Sequence, residues 1–423
     1  MSDSLNAKAG PATKRPRGAQ DRVRLSQRQL RWSLPLIAGF ISCAVGTAAF
    51  ELRWAALHLA LTGATVLLIS SVSLWLTVTW SAAAAPSDLA VALQRALIVV
   101  GVAMLVIGRQ SSGPTWIPVL GALIYALGLG LLGALLVFTV RRGVERRFDL
   151  VVAGYVIAVI AGITGAALGA DMAANSPTPA LRNTHIVLNL LGLIGIVAIS
   201  TLPPFIATVG RTKMSPAVTK PRVVTVLTWQ TITLTVAAIA LLNGSETFGG
   251  FALVAHGLGV ISIGFLLPRP TRRQLTWAGP RLLGLWAGTL WWAISVLGAA
   301  ASAFDQQGPL DGRWLGTLLV SGYGQIIWGS VAYVLPVIRG GGHKILSAGF
   351  ARTRSWFGFA ALNSAGFAFA FQQGKLALLC AGAALLDSLI RGVSVFFLST
   401  PPDSPTPPDS PTPPDAPAPG TKS

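Results

Sequence analysis

The sequence predicts an all-α fold: a polytopic membrane helix bundle of about twelve transmembrane helices, with both the N- and C-termini cytoplasmic. Three observations carry this. Of the 423 residues, 52% are hydrophobic and only 11% charged, with a mean hydropathy of +0.65; a water-facing surface of that size needs more charge. Apolar runs of about 18 to 27 residues, the length that crosses hydrocarbon, recur along the chain. Lysine and arginine collect in alternate loops between those runs, as the positive-inside rule requires.

Taken in order, the runs are 33–50, 54–80, 91–108, 115–140, 149–170, 183–210, 222–243, 248–268, 280–303, 314–338, 355–372 and 376–398. The first follows basic residues but has no small-x-small cleavage site, so an uncleaved first helix is expected. The third begins beside two polar residues, Gln94 and Arg95. With the N-terminus inside, the cytoplasmic side holds 27 of the 32 Lys and Arg residues and the outer side only 5. Trp54, Trp80, Trp116, Trp277 and Trp314 fall at span ends, where indole rings favour the interface. Residues 1–31 read as a disordered basic cytoplasmic tail held near anionic headgroups. Residues 32–399 form the membrane domain. Residues 400–423, with the repeating "PPDSPTPPDSPTPPD", read as a disordered, solvated, proline-rich cytoplasmic tail.

The formal net charge of +18 does not point to nucleic acid, because the basic residues sit in short loops between apolar runs. The partners expected are the lipid bilayer and a redox or membrane-protein partner, in the plasma membrane. Cys43 and Cys380 lie in separate apolar spans, which argues against a disulfide scaffold. There is no GxxxxGK[ST], GxSxG or HExxH, so an ATP motor and the common hydrolase sites have no support. The spans also lack an acidic pair of the kind that drives proton-coupled transport. Asp387 and Arg391, four apart with the acid first, read as a helical ion pair. Gly165 and Gly169 read as a close-packing pattern.

Three of the four histidines lie within spans: His58, His185 and His256. Topology puts His58 and His185 roughly 6 Å below the outer interface and His256 about 12 Å below it, at 1.5 Å per residue. Thr62 stands on the face of His58. Asn189 and Gly192 stand on the face of His185 at spacings of four and three. Neutral imidazole suits copper and iron, so His58 and His185 are candidate metal ligands, with His256 a third candidate. Each histidine can equally bond a carbonyl or hydroxyl of a neighbouring helix. Tyr323 and Gln325 in "SGYGQIIWG" are two apart and point to different faces; Gln325 is a candidate supporting polar residue.

The stretches "WAALHLALTGATVLLISSVSLWLTVTW", "THIVLNLLGLIGIVAISTLPPFIATVGRTKMSP" and "GYGQIIWGSVAYVLPVIRGGG" resemble the second, sixth and tenth spans of actinobacterial copper-oxidase-like membrane proteins. These are in turn distantly similar to haem-copper oxidase subunit I and to NnrS-type haem- and copper-containing proteins. The resemblance implies that His58 matches a haem-ligand position of span two and His185 a copper-ligand position of span six. Val187 stands where relatives often carry a second histidine, span seven lacks the histidine pair, and span ten offers Tyr323 and Gln325 in place of haem-binding histidines. A complete oxygen-reducing centre cannot be assembled from these protein ligands, so a complete oxidase is not expected. The leading expectation is one haem or copper held near the outer face, serving metal, haem or nitric-oxide handling or electron transfer. A small-solute transporter or permease with the same polar face lining its path, and a cofactor-free scaffold subunit, fit the same residues.

Overall fold

The computed structural model describes residues 19–111, 113–310 and 312–398. Residues 1–18 and 399–423, which make up much of the predicted tails, lie outside the described residues. All regular structure among the described residues is helical: α1 (Ala19–Ala49), α2 (Arg53–Trp80), α3 (Asp88–Gln110), α4 (Trp116–Arg141), α5 (Asp149–Ala174), α6 (Pro179–Val209), α7 (Lys220–Leu242), α8 (Glu246–Ile263), α9 (Arg272–Ala278), α10 (Pro280–Phe304), α11 (Gly312–Arg339), α12 (Gly342–Arg352), α13 (Trp356–Ala370) and α14 (Gly374–Phe396). Eleven of these fourteen are long and apolar enough to cross a membrane. The reason is hydrogen-bond accounting. Hydrocarbon offers the backbone no partners, so an apolar run must satisfy its own N–H and C=O groups, and a helix does so within one segment.

Two boundaries differ from the sequence reading. The run 355–372 yields only the 15-residue α13, a rise of about 22 Å against a hydrocarbon core of about 30 Å. Its start is fixed by Ser355, whose hydroxyl accepts from the Gly358 N–H at 2.8 Å. It ends before Gln372, whose φ of 62° lies in the left-handed region. Residues 19–31, placed before the first run by the sequence, are already part of α1. Long-range contacts fix that turn in place: Arg28 pairs with Asp88, and the Gln29 amide donates to the Pro86 carbonyl at 2.9 Å. The polar start of the third span is buried rather than wet. Gln94 accepts from Ser70 at 2.7 Å and donates to the Gly128 carbonyl at 3.2 Å, while Arg95 donates to the Gln29 carbonyl. Both cysteines are free, and Cys43 is exposed on the outside of the bundle.

One irregularity recurs at four-span intervals. In α2, α6 and α11, the second, sixth and tenth spans, an α-helical start of 6, 9 and 6 residues gives way to a π-helical stretch, Leu59–Thr65, Leu188–Gly195 and Leu318–Gly324. An α-helix then completes each span. Side-chain hydroxyls brace the backbone carbonyls within two of these stretches. Thr65 donates to the Ala60 carbonyl at 2.9 Å, and Tyr323 reaches from α11 to the Leu190 carbonyl of α6 at 2.9 Å. Counted back from the end of each π stretch, Ala60 and Leu190 occupy the same position. A half-open cavity of about 130 Å³ lies between these three spans, lined also by Leu30 and Leu34 of α1 and Tyr155 of α5. Its lining is almost wholly apolar; hydroxyls of Thr65, Ser73, Tyr155, Thr201, Tyr323 and Ser330 are the exceptions.

The Tyr323 bond gives a first test. Tyr323→Phe leaves the Leu190 carbonyl buried without that donor, so a loss of about 1–2 kcal/mol is expected in unfolding of the purified protein. Tyr125→Phe is the control, because the Tyr125 hydroxyl is buried with no partner, and its removal is expected to be neutral or stabilising.

Candidate functional site

Two imidazoles meet near the N-terminal ends of α2 and α6. Their ring centroids are 6.4 Å apart and their planes differ by 23°. Each is fixed by a backbone carbonyl. His58 Nδ1 lies 2.8 Å from the Trp54 carbonyl one turn earlier in α2, and the imidazole stacks on the Trp54 indole with centroids 4.0 Å apart. His185 Nδ1 lies 2.8 Å from the Gly165 carbonyl of α5. A carbonyl only accepts, so both rings carry their proton on Nδ1 and present Nε2 as an unprotonated lone pair. Neither Nε2 has a hydrogen-bond partner among the described residues.

The local fold explains why His185 can stand here. α5 and α6 run antiparallel, and the small residues of α5 receive the polar residues of α6 in register. A Cβ at Gly169 would meet His185 Cε1 at 3.1 Å, and one at Gly165 would meet Asn189 Cγ at 2.8 Å. One step deeper, Gly192 of α6 faces Ala161 of α5, where an added Cβ would lie 2.7 Å from the Ala161 methyl. His185, Asn189 and Gly192 therefore all turn toward α5. The glycine pair also lets the imidazole approach close enough to bond the helix backbone. Asn189 is held by its own helix, its amide donating to the His185 carbonyl at 2.8 Å. Thr62 likewise donates to the His58 carbonyl. Both polar neighbours support the histidine turns and leave the rings' free edges alone.

The remaining candidates lie elsewhere. His256 of α8 is fully buried, with Nδ1 3.2 Å from the Thr233 hydroxyl of α7 and Nε2 without a partner. It does not join the pair: among the described residues no three His, Cys, Asp or Glu side chains gather where they could hold a metal ion. Gln325 is fully buried against α10, its Cγ 3.6 Å from where a Cβ on Gly284 would sit, and neither amide atom has a partner. The sequence reading took Trp54 as an interface anchor, but its i, i+4 spacing with His58 places the indole under the imidazole. Asp387 and Arg391 form the expected ion pair at 2.8 Å.

The donor set has a chemistry that can be read from its geometry. Metal-bound histidines usually give their second ring N–H to a carbonyl or carboxylate, which fixes tautomer and orientation, and both rings here are held in that way. At metal–nitrogen distances of about 2.0–2.1 Å, imidazoles on opposite sides of one ion have centroids on the order of 6 Å apart, close to the spacing found. Neutral imidazoles of this kind are donors that copper and iron accept. No protein-family model matches this chain, and no curated protein does.

Proposed function

We propose that this multi-pass membrane protein handles a metal at the outer face of the plasma membrane, holding one copper ion between His58 and His185. The observation that carries the proposal is the pair of carbonyl-anchored imidazoles 6.4 Å apart. Copper is favoured because imidazole nitrogen suits it and it binds such sites tightly for a divalent ion. Haem iron has the same taste for imidazole, but the Gly165 and Gly169 backbone already packs against His185. The resemblance of the second, sixth and tenth spans to copper-oxidase-like proteins supports the same reading.

In this reading each chain element has a defined task. The Trp54 and Gly165 carbonyls hold the Nδ1 protons, keeping both Nε2 lone pairs available at neutral pH. Asn189 and Thr62 stiffen the turns that carry the rings. The bound ion would supply a redox-active or exchangeable centre close to the outer surface, within reach of a redox or membrane-protein partner. Two protein ligands make this a carrier or electron-transfer site and not a complete oxidase. The central cavity, lined almost wholly by apolar groups, gives a hydrophilic solute little to bind, so the permease reading draws no support from it.

The test is metal analysis and absorption spectroscopy of the full chain, purified after expression with copper and haem supplied. Stoichiometric copper without a Soret band is the expected result. A Soret band with stoichiometric iron would replace copper by haem at this site. A blank metal analysis with a featureless spectrum would overturn the proposal and leave the scaffold reading.

A further inference from the structure

On the side that the basic loops assign to the cytoplasm, three arginines from three loops converge with no acid among them. Arg281, the second residue of α10, is only 2% exposed, and its Nη1 has no partner. Its other contacts are long: Nε donates to the Ala278 carbonyl at 3.3 Å, Nη2 to the Trp277 carbonyl at 3.5 Å, and the guanidinium lies 4.8 Å from the centroid of the Phe350 ring. Arg354, Tyr333 and Arg211 are the titratable groups near enough to act on it. The Arg354 guanidinium lies against Gly279, where an added Cβ would meet its Nε at 2.8 Å. Arg211 lies over the Trp277 ring, 3.4 Å from its centroid, and that ring packs edge-on to Phe350 at 5.5 Å.

Three guanidiniums gathered around one aromatic cluster repel one another, and a half-buried setting weakens water's screening of that repulsion. No carboxylate of the chain offsets it among the described residues. None of the three takes part in an ion pair among the described residues, and the loops "RTKMSPAVTKPR", "RPTRRQLTWAGPR" and "RGGGHKILSAGFARTR" that carry them contain no Asp or Glu. The nearby acid, Asp387, is engaged by Arg391, whose guanidinium also donates to the Arg354 carbonyl. The cluster sits at the N-terminus of α10, which begins at Gly279 and Pro280 with no side-chain cap. Its Leu282 and Leu283 N–H groups already donate to the Gly279 carbonyl, and the helix dipole adds to the positive potential there.

We propose that Arg211, Arg281 and Arg354, grouped at the N-terminus of α10, bind a phosphate group. Planar guanidinium forks and helix N-termini are both matched to tetrahedral oxyanions. The depth of the site, at the junction of a span with its cytoplasmic loop, suits either of two sources of that chemistry: an anionic lipid headgroup of the inner leaflet, or a free phosphate in the cytoplasm.

The test uses the full chain, wild type against Arg211→Gln, Arg281→Gln and Arg354→Gln, with the outer-side Arg109→Gln as control. In one arm, delipidated protein in detergent is titrated with inorganic phosphate against chloride at matched ionic strength, following thermal unfolding. In the other, protein reconstituted in phosphatidylglycerol vesicles and in phosphatidylcholine vesicles is re-extracted, and retained lipid is counted by native mass spectrometry. We expect a phosphate-dependent stabilisation or a retained phosphatidylglycerol that each cluster variant weakens at least tenfold and Arg109→Gln leaves intact. A response in the first arm alone assigns the site to free phosphate, and in the second alone to a lipid headgroup. Should Arg281→Gln fail to fold, the two more exposed variants decide. Equal behaviour of wild type and variants in both arms would overturn the proposal, as would a phosphate effect that chloride reproduces.

Discussion

Gly165→Leu is expected to cost on the order of 2–6 kcal/mol of stability and to pull α5 and α6 apart at the imidazole pair. A Cβ at this position would already lie 2.8 Å from Asn189 Cγ and 3.0 Å from its Oδ1, closer than packed atoms approach. Asn189 cannot simply swing away, because its amide is bound to the His185 carbonyl at 2.8 Å. The helices must therefore separate. Separation removes the bond from His185 Nδ1 to the Gly165 carbonyl and leaves buried polar groups on both helices without partners. Overpacking accounts for about 1–3 kcal/mol and the stranded hydrogen-bonding groups for about 1–3 kcal/mol more. Denaturant unfolding of the purified full chain measures the sum. Gly382→Leu is the matched control: it lies in α14, its Cβ would meet nothing within 4 Å, and leucine is the better helix former. If the two variants unfold alike, the interlock between the α5 glycines and the α6 polar residues is not what holds these helices.

The interlock also marks where the sequence stops being informative. The existence of the spans follows from hydrogen-bond accounting in hydrocarbon, so run length and hydropathy reveal them directly. Which face of a span turns inward does not follow in the same way. In water an apolar stripe betrays the buried face, but in a bilayer the lipid side and the protein side are both apolar. α4 and α5 have apolar residues all round, and only small residues such as Gly165 and Gly169 hint at the packed side. The polar residues were legible as costly, yet each was satisfied in its own way. Gln94 found Ser70 and Gly128, while Gln325 sits buried with no hydrogen-bond partner among the described residues. Spacing could not separate these two outcomes.

The π-helical stretches were invisible for a different reason. Each shifts the register within a span by adding to the residues per turn, and a shift of that size inside an apolar run leaves no mark on hydropathy. Their glycines, Gly63, Gly192, Gly195, Gly322 and Gly324, are too common in membrane helices to single them out. The end of α13 was equally hidden, since the apolar run continues through Phe371 while the chain turns at Gln372. Depth, by contrast, could be read from topology. Two histidines at similar depth on separate spans are a precondition for contact, and the helix arrangement supplies the rest.

A double-mutant cycle with asparagine at positions 58 and 185 is expected to divide the two jobs of these histidines. The asparagine amide nitrogen falls near the place of Nδ1 but nothing replaces Nε2. His185→Asn can therefore keep the bond to the Gly165 carbonyl, and His58→Asn the bond to the Trp54 carbonyl. Stability should stay within about 1 kcal/mol of wild type. Copper affinity should fall by at least about 100-fold in each single variant, because losing a ligand costs more than the 10–100-fold typical of an outer partner. The double variant should then fall little further, since an ion left with one imidazole is already lost. That non-additivity is the signature of two rings on one ion. Additive losses of affinity would instead describe two independent sites. Unchanged affinity in all three variants would reduce both histidines to helix packing, with Nδ1 as their working atom.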